Sequence, residues 1–294
     1  MSLDVLFIGH CTRDEITING STEYRAGGGV YFGATACGWC LKHFSKGGDY
    51  KLKVLTIGKP SDYDQLVKEI NDSGVDISII ESEHTTTFAH SFRDNDPDQR
   101  ISTVPAVAKS FSIEDFKNYH AKVFYVNPLL YGEVDPSLFK LMKKQCDLLS
   151  LDAQGIIRRL ENGDLVKRPP EDLKAALEGV DFLKIDIDEA AILTGLEKGD
   201  TITASRQLQA LGPRYVLCTE CKGAAFYDGE KRYFANFGEW KLEGRTGRGD
   251  TITSSFILLR FILGYETQVA LNIAAQACSH KMMHPGAAVE ADFE

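Results

Sequence analysis

The sequence has no apolar run long enough to cross a bilayer. The longest stretch near the C-terminus, Phe256 to Leu263, is interrupted by Arg260 and falls well short of the roughly 20 residues a spanning helix needs. Met1 to Gly9 is one short apolar run with neither a basic leader nor a cleavage site. A cytoplasmic protein without a membrane partner is the expectation. Basic residues are also in deficit. Lys and Arg number 33 against 42 Asp and Glu, a formal charge of −9, so a general nucleic-acid face is excluded. Gly-x-Ser-x-Gly and Walker A patterns are both missing, which leaves serine-hydrolase and P-loop readings unsupported. The seven cysteines are an odd count without a secretion signal, which fits reduced thiols better than a disulfide framework. Two Cys-x-x-Cys pairs, Cys37/Cys40 on a predicted helix and Cys218/Cys221 at a strand end, read as buried free thiols, so a zinc site is not expected. Internal repeats, linkers and low-complexity tracts are lacking too, and residues 1–294 read as one domain.

What is present alternates. Apolar strand patterns at Asp4–Gly9, Lys53–Ile57, Val123–Val126, Leu148–Asp152, Phe182–Ile185 and Tyr215–Thr219 are interleaved with helical patterns. The helices are expected over Val30–Phe44, Ser61–Ser73, Pro136–Lys144, Asp188–Leu193, Ala204–Leu211, Asp250–Leu263 and Gln268–Met283. Such alternation predicts parallel βαβ units in a doubly wound α/β sheet. Two segments break the scheme. Ile16–Arg25 carries Asn19-Gly20 at its centre, a hairpin-turn signal. Thr85 to Val104 reads as a second hairpin around Asp94-Asn95-Asp96-Pro97-Asp98. Together, about residues 14–26 and 85–104, they predict a small β-sheet lid over the strand ends, where α/β proteins bind ligands.

Three segments could carry chemistry. Thr246-Gly247-Arg248-Gly249-Asp250 opens an apolar helix. Glycines ahead of a helix let several N–H groups converge, and the helix dipole adds to them, which makes an anion site. Asp250 inside such a site makes sense as a base acting on a nucleophile, although the local pattern alone slightly favours a Gly-rich turn with Asp250 as a helix cap. Ala26 to Gly33 also opens a helix, with Gly27, Gly28 and Gly29 adjacent. Gly27, Gly29 and Gly33 nearly fit a dinucleotide fingerprint, which would make an oxidoreductase. They follow a hairpin and not the first strand, however, and they would equally allow close approach to a polyhydroxyl ligand. Asp152 to Arg158 follows a strand, and Arg158 is either a phosphate contact or a solvated loop cation.

Taken in order, these segments resemble the PfkB (ribokinase-like) family of carbohydrate kinases over nearly the whole chain. Gly9 and Asp14 look like the first-strand substrate element, and Gly27–Gly29 like the N-terminal signature without its usual Asn. Thr246–Asp250 looks like the C-terminal signature with Arg248 in place of Ala and Gly244 in place of an acidic residue. Asp186-Ile187-Asp188-Glu189 resembles the magnesium-linked Asn-x-x-Glu element, and Cys218 to Gly223 the nucleotide-binding run, with Glu220 in place of Gly. Asn127-Pro128-Leu129, Gly132-Glu133 and Asp152–Arg158 resemble members acting on inositol or related polyols.

The resemblance implies a three-layer α/β/α sandwich with a β-sheet lid. It implies ATP-dependent phosphorylation of a polyol, sugar or nucleoside hydroxyl, with Mg²⁺ and, as a further option, a monovalent cation. Asp250 would be the general base, and the amides of Gly247, Arg248 and Gly249 the anion hole. Asp14, Gly27, Gly28, Gly29 and Arg158 would bind substrate. Thr219, Glu220, Lys222, Gly223 and Thr246 would bind nucleotide, and Glu189 with Asp186 would position the metal. The chain would be a monomer or a homodimer through the lid. Alternatives are a relative that has lost catalysis, as the departures at Gly244, Arg248 and Glu220 suggest, and a ribose, fructose or adenosine kinase.

Overall fold

The computed structural model describes residues 2–18, 20–92, 100–238, 243–244 and 246–294. Strand β1 (Leu3–Ile8) is apolar without interruption from Val5 to Ile8 because both its faces are covered there. Val5 and Phe7 pack into one core layer, and Leu6 and Ile8 into the other. The remaining strands are β2 (Thr12–Ile18), β3 (Ser21–Gly27), β4 (Leu52–Gly58), β5 (Asp76–Glu81), β6 (Thr87–Phe92), β7 (Arg100–Ala106), β8 (Ala121–Val126) and β9 (Cys146–Asp152). They continue as β10 (Arg158–Glu161), β11 (Asp164–Lys167), β12 (Phe182–Asp186), β13 (Tyr215–Thr219), β14 (Gly223–Tyr227) and β15 (Arg232–Asn236). The helices of two turns or more are α1 (Gly29–Phe44), α2 (Tyr63–Asp72), α3 (Ile187–Thr194), α4 (Thr201–Gln209), α5 (Arg248–Ile257) and α6 (Thr267–Lys281).

Nine strands form the main sheet in the order β15-β14-β13-β12-β9-β8-β1-β4-β5. Every pair from β13 to β5 is parallel, and β14 and β15 add antiparallel at one edge. Helices on both faces complete an α/β/α sandwich, as the alternation predicts. α1, α5 and α6 cover the Phe7 side, where Phe182, Phe226 and Phe256 meet with ring centroids 4.6–6.3 Å apart. A second, four-stranded sheet has the order β3-β2-β6-β7. Its outer pairs are antiparallel hairpins, while β2 and β6 run parallel.

Several elements differ from expectation. The predicted helix at Pro136–Lys144 is broken into a 3₁₀ turn, one α turn and a second 3₁₀ turn. The helix predicted from Asp250 begins at Arg248 and widens into a π turn over Leu258–Ile262. β14 is not among the expected strands, and Gly223, Ala224 and Ala225 are poor strand formers; complete burial holds it in the sheet. β10 and β11 form an unpredicted hairpin whose tip, Asn162-Gly163, has positive φ at both residues (52° and 91°). Arg158 is thus not in an open loop. It begins β10 opposite Lys167, and its carbonyl accepts the Tyr131 N–H at 2.7 Å. The expected turns at Asn19 and at Asp94–Asp98 lie outside the described residues. No described helix is long and apolar enough to cross a membrane.

Candidate active site

The carboxyl ends of the adjacent strands β12, β9, β8 and β1 bring together residues far apart in the chain. Past β1 the chain turns through Gly9 and His10 into β2. Glu133 fixes that turn by accepting the His10 N–H at 2.6 Å and the Leu129 N–H at 2.8 Å. The three glycines ahead of α1 are explained by what presses on them. A Cβ on Gly27 would strike the Asp14 carboxylate and the Thr12 hydroxyl, one on Gly28 the His10 carbonyl, and one on Gly29 the Asn127 carboxamide. Gly28 also has φ of 94°, a region that favours glycine. The glycine run therefore lets side chains approach it, and it follows β3 of the small sheet. The dinucleotide reading has no place here.

Those side chains carry unused polar atoms. Thr12 Oγ1, Asp14 Oδ1 and Asn127 Oδ1 are buried without a hydrogen-bond partner among the described residues. Each such atom costs about 1–3 kcal/mol, so their convergence marks a place for a ligand rich in hydroxyl groups. His90 of β6 adds a fourth group. Its Nε2 is 3.8 Å from Asp14 Oδ2, and its Nδ1 is 2.8 Å from Ser102 Oγ. Gly29→Ala is expected to destabilise the fold by about 1–3 kcal/mol, because the new methyl must displace Asn127 from a packed position. Denaturant unfolding checks this, and wild-type stability in the variant would show that Asn127 yields freely.

Asp250 lies in the first turn of α5, capped by Gly247 with φ of 82°. A Cβ on Gly247 would come within 2.6 Å of the Phe32 ring. Asp250 Oδ1 accepts a 2.6 Å hydrogen bond from Asn127 Nδ2, the side chain whose Oδ1 is one of the unused acceptors. Burial first, and the Asp152 charge second, push its carboxyl up to about 6, against the pull of Lys184 and Asn127.

Lys184 stands opposite Asp152 in the β12–β9 register, so the two side chains share a face. Its Nζ is 3.1 Å from Asp152 Oδ2 and 3.5 Å from Glu189 Oε2. It also lies 3.2 Å from where a Cβ on Gly249 would stand, beneath the glycine next to Asp250. Burial alone would lower its pKa, but Asp152, Glu189, Asp186 and Asp250 together hold it well above the usual lysine range. Asp186 and Glu189 form the capping box of α3. Asp186 Oδ1 accepts the N–H groups of Asp188 and Glu189 at 2.9 and 2.8 Å, and Glu189 Oε2 accepts that of Asp186 at 2.8 Å. Burial raises the Glu189 carboxyl well above its ordinary value. No group of three His, Cys, Asp or Glu side chains among the described residues is arranged as a metal cage. The donor set still suits Mg²⁺, which is commonly held by one or two carboxylates, waters and phosphate oxygens. Four carboxylates around one ammonium leave negative charge uncompensated.

The remaining predicted residues lie beyond β12. Thr219 ends β13, buried, and its Oγ1 donates to the Ile185 carbonyl at 3.5 Å. Glu220 is turned aside. Its Oε1 accepts the Thr201 hydroxyl at the start of α4 at 2.8 Å and lies 3.6 Å from Arg232. Gly223 begins β14, where a Cβ would strike the Ala235 carbonyl. Lys222 is exposed, and its carbonyl accepts the Phe237 N–H at 2.8 Å. The Arg248 guanidinium lies 5.7 Å from the Phe237 ring centre, with no carboxylate partner among the described residues. The Thr246 carbonyl accepts from Lys281 Nζ at 2.7 Å. Thr12, His90, Lys184 and Lys281 were not singled out from sequence, and Asn127 and Asp152 entered only as members of the segments Asn127–Leu129 and Asp152–Arg158. The one local signal among them is Lys184, a charge in the otherwise apolar strand Phe182–Ile185.

Comparison with known proteins agrees with this fold. Residues 53–290 match the model of the pfkB family carbohydrate kinases. The chain is 33% identical to a pyrophosphate-dependent kinase in the ribokinase family, solved as a sulfate complex, with TM-score 0.87 and 98% of each chain covered. It is 32% identical to a pyrophosphate-dependent kinase in the ribokinase family complexed with a pyrophosphate analog and myo-inositol, with TM-score 0.86 and 98% of each chain covered. Arabidopsis thaliana ribokinase complexed with ribose and ATP shares the fold, with TM-score 0.73 at 21% identity over 99% of this chain and 96% of that one. No curated protein matches the chain.

Proposed function

Since the chain belongs to the PfkB family of carbohydrate kinases, and is thus a phosphotransferase with an alcohol acceptor, we propose that it transfers a phosphoryl group from pyrophosphate to an inositol hydroxyl. The observation that carries the reading is the hydrogen bond of Asp250 to Asn127, whose unused Oδ1 lies against the same glycine run as the Thr12 and Asp14 side chains. A cyclic polyol would supply hydroxyl donors to Asp14 Oδ1 and Asn127 Oδ1 and leave one hydroxyl at Asp250. The acceptor oxygen attacks phosphorus, its proton passes to Asp250, and the bridging P–O bond breaks to release inorganic phosphate. A base whose pKa lies near 6 is ionised at neutral pH and basic enough to take the proton. The N–H groups of Gly247, Arg248 and Gly249 receive the charge on the transferred group. Glu189 and Asp186 would hold Mg²⁺, which would supply positive charge to offset that of the phosphate groups. The four-stranded sheet, carrying Asp14 and His90, serves as the lid.

Pyrophosphate takes precedence over the ATP implied by the resemblance for two reasons. The two relatives above 30% identity described here are pyrophosphate-dependent. In this chain Arg248, without a carboxylate partner among the described residues, and exposed Lys222 are the cations that would face the donor, while Glu220 is committed to Thr201. Two cations without adenine-specific groups suit a small, highly charged donor. The test supplies inositols, ribose, fructose and adenosine with either pyrophosphate or ATP and measures phosphate ester formed. Inositol phosphate from pyrophosphate is the expected product. Turnover with ATP alone would overturn the donor, and turnover with ribose but no inositol the acceptor. Absence of transfer in every combination would favour the alternative of a relative that only binds.

A further inference from the structure

Lys281 is the last residue of α6 and is 1% exposed, among the largest wholly buried side chains of the protein. Its Nζ has no carboxylate within ion-pair distance among the described residues. It donates to the carbonyl of Thr246 at 2.7 Å and to that of Gly244 at 3.2 Å. A buried ammonium held by backbone carbonyls is costly, and burial lowers its pKa. The position of those carbonyls supplies a reason for it. The Thr246 carbonyl and the Gly247 N–H belong to one planar trans peptide, so they point in opposite directions. A cation drawing the carbonyl to one side turns the N–H to the other and polarises it. Gly247 is the N-cap of α5, three residues before Asp250. The segment around the loop is fixed too: the Glu243 and Gly244 N–H groups donate to the Met282 carbonyl at 3.0 and 3.1 Å. Carbonyl clusters of this kind also bind large monovalent cations in proteins.

We propose that the Lys281 ammonium is a tethered monovalent cation, a positioning group that aims and polarises the Gly247 N–H, so that phosphoryl transfer requires no added K⁺ or NH₄⁺. The inference rests on the kinase reading above for its functional consequence, but the cation replacement itself can be read without turnover. The experiment compares the full-length wild-type chain with Lys281→Ala and Lys281→Met. Buffers contain Mg²⁺, a bulky organic ammonium, and then K⁺, NH₄⁺ or Li⁺. Wild-type kcat is expected to change less than about twofold among these salts. Lys281→Ala should lose about a hundredfold in kcat, the scale of one misdirected anion-hole donor, with KM for the acceptor unchanged. It should regain about tenfold or more with K⁺ or NH₄⁺ and nothing with Li⁺. Lys281→Met, which fills the space without charge, should fall as far and not recover. Stimulation of the wild type by K⁺ or NH₄⁺ would overturn the proposal, as would full activity in Lys281→Ala or a loss that no cation restores. Thermal unfolding in the same salts separates this from the kinase reading. K⁺ or NH₄⁺ should raise the Tm of Lys281→Ala above its value in Li⁺ and leave the wild type unmoved. If no donor and acceptor pair gives turnover, the kinase reading fails, and this Tm difference alone upholds or overturns the cation replacement. Should neither variant fold, the salt response of the wild type decides.

Discussion

Asp250→Asn is expected to lower kcat by about a thousandfold, the middle of the range for losing a positioned general base, while the protein stays folded. The substitution keeps the shape of the side chain, and the new amide oxygen can still accept from Asn127 Nδ2, now at 2.6 Å. KM for the polyol should move little, since Asp14 and the Asn127 oxygen are untouched, so the loss belongs to the transition state. Turnover within about tenfold of wild type would remove Asp250 from the base role.

The same carboxylate fixes a pH dependence. With a pKa near 6 in the folded protein, kcat should fall as pH drops through about 6, where the base becomes protonated, and level off above it. Stability runs the other way. The folded-state pKa is raised above the ordinary 3.8, so the group favours the folded state fully below the unfolded value and loses that contribution as pH rises through about 6. Raising the carboxyl from 3.8 to about 6 corresponds to at most about 3 kcal/mol. At pH 8 the Asp250→Asn variant, neutral at this position, should therefore unfold at the same or a higher temperature than wild type, as expected where an active site is held at the expense of stability. A lower Tm at pH 8 would mean that the charged form is the one the fold prefers.

The alternation of strands and helices was legible because the parallel strands are apolar on both faces, as β1 shows with Val5 and Phe7 on one side and Leu6 and Ile8 on the other. The segments that introduce the site were legible as well, since glycines ahead of α1 and α5 are needed wherever a side chain or ring presses on backbone. The partners that press on them were not. Asn127 meets Asp250 across 123 residues of chain, and Lys184 meets Asp152 through the register of two strands. Neither pair leaves a local spacing to read. Lys281 is concealed differently, as a helix-terminal lysine that would ordinarily be solvated and is here buried against carbonyls 35 and 37 residues away. Glu220 departs from the family pattern, and its reason also lies outside its own segment, in Thr201 and Arg232.

Lys184→Met should be the second most damaging change, and for two separable reasons. Removing the ammonium takes away the one cation on which Asp152, Glu189, Asp186 and Asp250 all act. Breaking a buried ion pair at one partner costs about 3–5 kcal/mol, so a clear fall in Tm is expected, partly relieved at low pH where Glu189 takes up a proton. The second effect is catalytic. Lys184 lies 3.2 Å from a Cβ position on Gly249, next to the amides proposed to receive the phosphoryl group, and kcat should drop about a hundredfold or more with its charge. A structural role alone would not move the pH profile. Lys184 lowers the pKa of Asp250 against burial and Asp152, so in the variant the acid limb of kcat against pH should shift upward from about 6. Lys184→Arg keeps the charge and should restore the position of that limb even if its bulk lowers the rate. A limb that stays in place in Lys184→Met would separate Lys184 from the chemistry and leave it a partner of Asp152 and Glu189 only.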